Sequence, residues 1–284
     1  MLVTGKQILD HANKNNYAVG AFNFSNMEIL HAIIDAAEQE NAPVIVQTSE
    51  GAISYAGHAC LAAMAIEAAS EAKVPVALNL DHGTTFETII KCVSHGWTSI
   101  MIDGSHFSLD ENIKVTKNIV DICHAAGIST EAELGRLSGI EDNISVDEND
   151  AKYTNPDEAV QFVKETGVDY LAIAIGTAHG KYKGVPKLDF DRLDTIKKLI
   201  PNVPIVLHGS SGIPEVDIKK AVSLGVNKIN IDTDIRLAFT SAVREVITNK
   251  PDEFDPRKIV GPAKKAMTDV VVEKIRMFGS AGKA

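Results

Sequence analysis

Only three cysteines, Cys60, Cys92 and Cys123, occur in 284 residues, and none stands in Cys-x-x-Cys spacing. An odd, scattered set argues against a disulfide framework and for reduced thiols in a reducing compartment. No apolar run approaches the roughly 18 residues that cross a bilayer. The N-terminal stretch MLVTGKQILDHANKNN lacks the apolar core of a secretion signal. These absences predict a soluble, cytoplasmic protein with no membrane partner. Positive charge is in deficit: 28 Lys and Arg against 38 Asp and Glu leave −10. Such a chain repels polyanions, so no nucleic-acid partner is expected. A small anionic substrate held by a few clustered cations stays compatible. Also lacking is a Gly-x-Gly-x-x-Gly turn after a strand, which speaks against a dinucleotide-binding open sheet.

What the chain has is alternation. Short β-rich runs fall at 17–23, 43–48, 75–81, 99–103, 128–134, 169–176, 204–208 and 228–231, most of them nearly continuous in Val, Ile, Leu and Ala. That composition marks strands covered on both faces. Helical segments lie between them. Ser25-Asn-Met-Glu28 reads as a capping box, Asn155-Pro156 as an N-cap with a first-turn proline, and Gly127 and Gly225 as helix C-terminal glycines. Eight strands with intervening helices predict an α/β fold, a (β/α)8 TIM barrel spanning 1–284 as one domain, with an additional C-terminal helix over 262–278. The stretch 136–154 is polar, acidic and poor in periodicity. A connection this long reads as a binding loop or lid, or else as a surface insertion.

In a barrel of this kind the chemistry gathers at the C-terminal strand ends. Those ends carry Asn23, Ser49, Asp81, His82, Asp103, Glu133, His179, His208, Asn230 and Asp232. His82, His179 and His208 are candidate ligands of one zinc, since three imidazoles and an open fourth position form a common catalytic zinc site. His106 competes for that role. His11, His31, His58, His95 and His124 fall in helical stretches and read as surface or packing residues. Asp81 suits proton transfer or ligand orientation, although on a regular strand it would point away from His82. Asp103 and Glu133 are alternative ligands, groups that orient the ligands, or structural charges. The glycine-rich turns beginning at His179 and His208 suit phosphate, with Lys and Ser as further donors.

With these residues in place, the chain resembles the class II, metal-dependent fructose-bisphosphate aldolases nearly end to end. The resemblance is carried by Leu80-Asp-His-Gly83, Glu131-Ala-Glu-Leu-Gly135 with Glu141-Asp142, Gly176-Thr-Ala-His-Gly180, Leu207-His-Gly209 and Asn230-Ile-Asp-Thr-Asp234. It implies Zn2+ on His82, His179 and His208, Asp81 as acid–base, and Glu141 as the proton donor at the triose-phosphate carbon. It further implies a phosphate site at Gly180, Lys183, Gly209 and Ser211, shared with a monovalent cation (Na+ or K+). Asn23, Ser49, Asn230, Asp232 and Thr233 would contact substrate, and Arg236 the second phosphate. Arg257 would be lent by a neighbouring subunit, hence a homo-oligomer, dimer or tetramer. The shorter branch of the family includes tagatose-bisphosphate aldolases, which commonly carry alanine where Asp232 stands and lysine near Arg236; this chain's pair tilts the expectation to fructose 1,6-bisphosphate. The competing readings are a Schiff-base aldolase, a non-catalytic sugar-phosphate-binding barrel and a metal-dependent hydrolase. Strand 169–176 offers no lysine for a Schiff base, and Lys228 lies at the start of its strand, away from the rim.

Overall fold

The computed structural model describes residues 1–141, 144–147, 151–180, 182, 184 and 186–284. In chain order the first half comprises α1 (Gly5–Asn15), β1 (Val19–Asn23), α2 (Met27–Gln39), β2 (Val44–Ser49), α3 (Glu50–Ala56), α4 (His58–Glu71), β3 (Val76–Gly83), α5 (Phe86–His95), β4 (Ser99–Ile102), α6 (Leu109–Ala125) and β5 (Ser129–Leu134). Then come β6 (Ser138–Glu141), β7 (Ile144–Val146), α7 (Pro156–Thr166), β8 (Tyr170–Ile173), β9 (Ala178–His179), α8 (Phe190–Leu199), β10 (Ile205–Leu207), α9 (Glu215–Ser223), β11 (Val226–Ile231), α10 (Thr233–Asn249) and α11 (Pro256–Phe278).

Eight parallel strands close into a barrel in the order β1-β11-β10-β8-β5-β4-β3-β2. All eight predicted strands are present, shifted at their ends by a few residues. Strand residues are buried on both faces because helices cover the outside and side chains fill the inside, so their composition shows no alternation. The outer core joins strands to helices through Ile33, Leu61, Phe162, Leu193 and Met267. A second, smaller cluster fills the lower barrel: Ile8, Leu9 and Ala12 of α1 meet Val19, Ile45, Ala77, Tyr170 and Val206. Helix α1 thus plugs the N-terminal pole, its start fixed by a Thr4–Gln7 capping box. Among the described residues no single helix is long and apolar enough to cross a membrane.

Two expectations are corrected. The cap of α2 is Asn26, whose Oδ1 accepts the Ile29 amide, one residue past the predicted Ser25. The C-terminal helix begins at Pro256, with Asp255 as its cap and Pro262 inside it. Pro256 takes the N1 position that suits proline, and Pro262 lies in the helix interior, so reading Pro262 as a first-turn proline misplaces the start. Within 136–154, among the described residues, β6 pairs antiparallel with β7 and parallel with β9, making a small second sheet.

Candidate active site

The side chains singled out in the sequence gather where β3, β10, β11 and β1 end. At the end of β3 the ladder with β4 slips: Leu80 pairs with Ile100 but Gly83 with Ile102, so three steps on β3 match two on β4. His82 absorbs the extra residue at φ 48°, left-handed backbone that a non-glycine residue adopts at a cost of about 1–3 kcal/mol. The bulge removes the strand alternation, and both Asp81 and His82 reach inward. Asp81 is fully buried, and its two carboxylate oxygens accept from Asn23 Nδ2 at 2.8 Å and Asn230 Nδ2 at 3.1 Å.

The three rim histidines meet. His82 and His208 rings lie 4.7 Å apart, His82 and His179 5.1 Å, and His179 and His208 6.0 Å. One nitrogen from each lies within 4.8 Å of the others. His82 Nδ1 is 2.7 Å from Asp103 Oδ2, and His208 Nε2 is 2.7 Å from Glu131 Oε1. An ionised carboxylate can only accept, so both of these ring nitrogens carry the proton. The remaining nitrogens, His82 Nε2 and His208 Nδ1, face each other at 2.8 Å as lone pairs. Two lone pairs at that distance repel unless a cation or proton lies between or beside them. The donor set therefore fits a divalent ion of the borderline class that imidazole favours.

Charge around the cluster is arranged in layers. Burial alone would raise the Asp103 carboxyl, but the hydrogen bond and charge of His82, with the Ser105 contacts, hold it well below the usual carboxylate range. Glu131 is similar: burial opposes ionisation, yet the Lys228 ammonium and His208 bring it down to about 2. Lys228 Nζ sits 2.7 Å from Glu131 Oε2, both groups wholly buried. Burial lowers the His208 imidazole despite Glu131. Glu133 Oε2 lies 4.0 Å from His82 Nδ1 and 3.7 Å from His208 Nδ1, so His82, Asp103 and Glu133 form a second carboxylate-rich cluster. A cleft of about 440 Å³ opens beside it, lined by His82, Asp103, His106, Glu133, Arg136 and His179. His106 packs on Phe107 and is outside both clusters.

The two glycine turns are also adjacent. Tyr182 Oη accepts from the Ala178 amide at 2.8 Å and donates to the Gly209 carbonyl at 2.7 Å, tying the loops together. Gly209 has φ 62°, and a side chain there would strike the Ala178 backbone. Ser211 Oγ accepts from the Asp234 amide in the first turn of α10, next to Thr233. Arg236 Nε bonds Asp232 Oδ1 at 2.7 Å. Ser49 caps α3 at the rim. Gly180 ends the β9 turn at φ 84°. Lys183 lies outside the described residues, as does the side chain of Glu141, whose backbone closes β6. Arg257 stands apart: it is 90% exposed and grips Asp255, on the first turn of α11.

Two residues escaped the sequence reading in part. Glu131 entered only as a letter of a motif, yet it shares a strand face with Glu133, a signal that i, i+2 spacing gives. Lys228, away from the rim as its place in the strand predicts, spends its ammonium inside the barrel on Glu131, a partner the sequence does not reveal.

A family model described as "Fructose-bisphosphate aldolase class-II" matches residues 3–283. The chain is 50% identical over 307 residues to a fructose-bisphosphate aldolase of Thermus caldophilus, covering all of both chains. It is 46% identical over 286 residues to one of Geobacillus stearothermophilus, covering 100% of this chain and 99% of the other. Among solved structures, the YdjI aldolase of Escherichia coli K12 superposes with a TM-score of 0.89 at 39% identity, with full coverage of both. A fructose-bisphosphate aldolase of Campylobacter jejuni gives 0.86 at 26% identity, covering 100% of this chain and 97% of that one. The chain belongs to the class II fructose-bisphosphate aldolase family.

Proposed function

We propose that this protein catalyses the reversible cleavage of fructose 1,6-bisphosphate into dihydroxyacetone phosphate and glyceraldehyde 3-phosphate, using zinc held by His82, His179 and His208. The observation that carries the reading is the buried Asp81 carboxylate, clamped by two asparagines, beside three converging imidazoles. When bound, the ion supplies Lewis-acid polarisation of the ketone. Asp103 and Glu131 orient the two imidazoles they contact. Asp81 takes the proton from the C4 hydroxyl as the C3–C4 bond breaks and the aldehyde half forms. The electron pair remains on C3 of the ketone half, and Glu141 returns a proton to that carbon. Gly180, Lys183, Gly209 and Ser211 hold one phosphate, with a monovalent cation beside it; Asn230, Asp232, Thr233 and Arg236 hold the rest of the substrate. Two anchored phosphates place the reacting carbons, converting binding into orientation.

Arg257, exposed on this chain, serves a neighbour's site in a cytoplasmic homo-oligomer. Lys228, committed to Glu131, is unsuited to attack a ketone, which disfavours Schiff-base chemistry. The tagatose alternative is not favoured, because the full-length relatives bear the names of fructose-bisphosphate aldolases. A coupled assay of fructose and tagatose bisphosphates, with and without chelator, tests the proposal. Chelator-sensitive cleavage with preference for the fructose sugar is expected; borohydride trapping of substrate, or release of inorganic phosphate, overturns it.

A further inference from the structure

Barrel interiors are ordinarily packed with branched apolar side chains. This one carries a row of amides and hydroxyls of which the proposed chemistry uses only Asn23, at the top. Asn23, Gln47, Asn79, Ser99 and Ser129 are register partners across β1, β2, β3, β4 and β5. Asn23 is the last residue of its strand, whereas Ser99 and Ser129 are the first of theirs. The stagger of a closed barrel makes such a row climb from the N-terminal pole to the rim. Every member is buried.

The row is hydrogen-bonded throughout, and its polarity is fixed from the top. Asp81 Oδ2 accepts, so Asn23 presents its NH2 at 2.8 Å. Asn23 Oδ1 must then accept, and Gln47 Nε2 donates to it at 2.8 Å. Gln47 Oε1 accepts from Asn79 Nδ2 at 3.2 Å, and Asn79 Oδ1 from Ser99 Oγ at 2.6 Å. With its proton committed, Ser99 Oγ is left to accept from the Tyr170 hydroxyl, which also meets Ser129 Oγ. Burial, then the Glu131 charge, pushes the Tyr170 hydroxyl above its usual range and keeps it a donor. Gly5 of α1 lies against this hydroxyl, where a Cβ would collide with it and sit 3.1 Å from Ser99 Oγ. Each donor points toward Asp81, and the chain ends in a rigid, packed anchor. Such an array gives the carboxylate one orientation, where a lone Asn23 would have freedom to rotate or flip.

We propose that Ser99, Asn79 and Tyr170 are positioning residues for the cleavage step, fixing the Asp81 carboxylate through Gln47 and Asn23. The inference rests on Asp81 acting as the base in carbon–carbon cleavage. Five hydrogen bonds separate the Tyr170 hydroxyl from Asp81. A misplacement of about 1 Å at a reacting group costs on the order of 100-fold, so relaxation transmitted through the row is expected to cost about tenfold.

The test uses zinc-loaded wild type, Ser99→Ala and Tyr170→Phe, the second keeping the ring and its packing should the first fail to fold. Two rates are read: fructose 1,6-bisphosphate cleavage, and exchange of the C3 hydrogen of dihydroxyacetone phosphate with deuterated water, which uses the metal and Glu141 but not Asp81. Expected is a kcat for cleavage lowered about tenfold, KM within about twofold of wild type, and an unchanged exchange rate. Unchanged cleavage in Tyr170→Phe, or cleavage and exchange falling together, overturns the inference. Wild type that exchanges but does not cleave would instead overturn the proposed function itself.

Discussion

The buried pair Lys228–Glu131 gives the sharpest test of how the site is built. Replacing Lys228 by Met keeps most of the side-chain volume, so little cavity cost is expected. It leaves the Glu131 carboxylate, wholly buried, without the ammonium 2.7 Å from Oε2. Breaking a buried pair from one side costs about 3–5 kcal/mol because an uncompensated charge remains. Adding Glu131→Gln removes that charge while leaving an amide oxygen to accept from His208 Nε2. The double variant should therefore recover at least about 1 kcal/mol of the single variant's loss, a strongly non-additive result. Urea unfolding followed at Trp97, the sole tryptophan and a fully buried one, reads both changes as midpoint shifts. A Lys228→Met midpoint within about 1 kcal/mol of wild type, or a double variant worse than the single, would refute the charge-pair reasoning.

Asp81→Ala should bind zinc and substrate as wild type does while losing about 100-fold or more in kcat, measured by coupled assay alongside metal analysis; a near-normal rate removes Asp81 from the proposal. Gly5→Ala, which drives a methyl into the Tyr170 hydroxyl, should destabilise by about 1–3 kcal/mol in the same urea assay, and a neutral result would mean α1 is free to shift. Alkaline pH should weaken the fold through Cys92 and Cys123, which burial, then Glu50 for one and Asp169 for the other, pushes up to about 12 from 9.0. The unfolded thiols ionise first, so stability is full below pH 9 and falls between 9 and 12. About 1.4 kcal/mol per thiol, or about 3 kcal/mol together, should be lost from pH 8 to pH 10, and the Cys92→Ala/Cys123→Ala variant should lose correspondingly less. Equal losses in the two proteins would assign the effect elsewhere.

The barrel was legible in the sequence because its strands are buried on both faces and so read as apolar runs, such as 43–48 and 204–208. The rim was legible because acids, amides and histidines end those runs. The pairing of Ser138–Glu141 with Ile144–Val146 was not, since strands of four and three residues are too short to show a period. Nor was the β3 bulge: Leu80-Asp-His-Gly83 has no local sign of an extra residue, because what stabilises His82 at positive φ is its contact with Asp103 and His208, far away in the chain. The polar row was hidden for a related reason. Gln47, Asn79 and Ser99 look like isolated interruptions of three separate strands, and only the barrel register makes them neighbours.

The account turns on three imidazoles sharing one ion. X-ray absorption at the zinc edge of the reconstituted protein should find three imidazole nitrogens at about 2.0–2.1 Å from the metal. A shell dominated by carboxylate oxygens, as an ion seated on Asp103 and Glu133 would give, would contradict it.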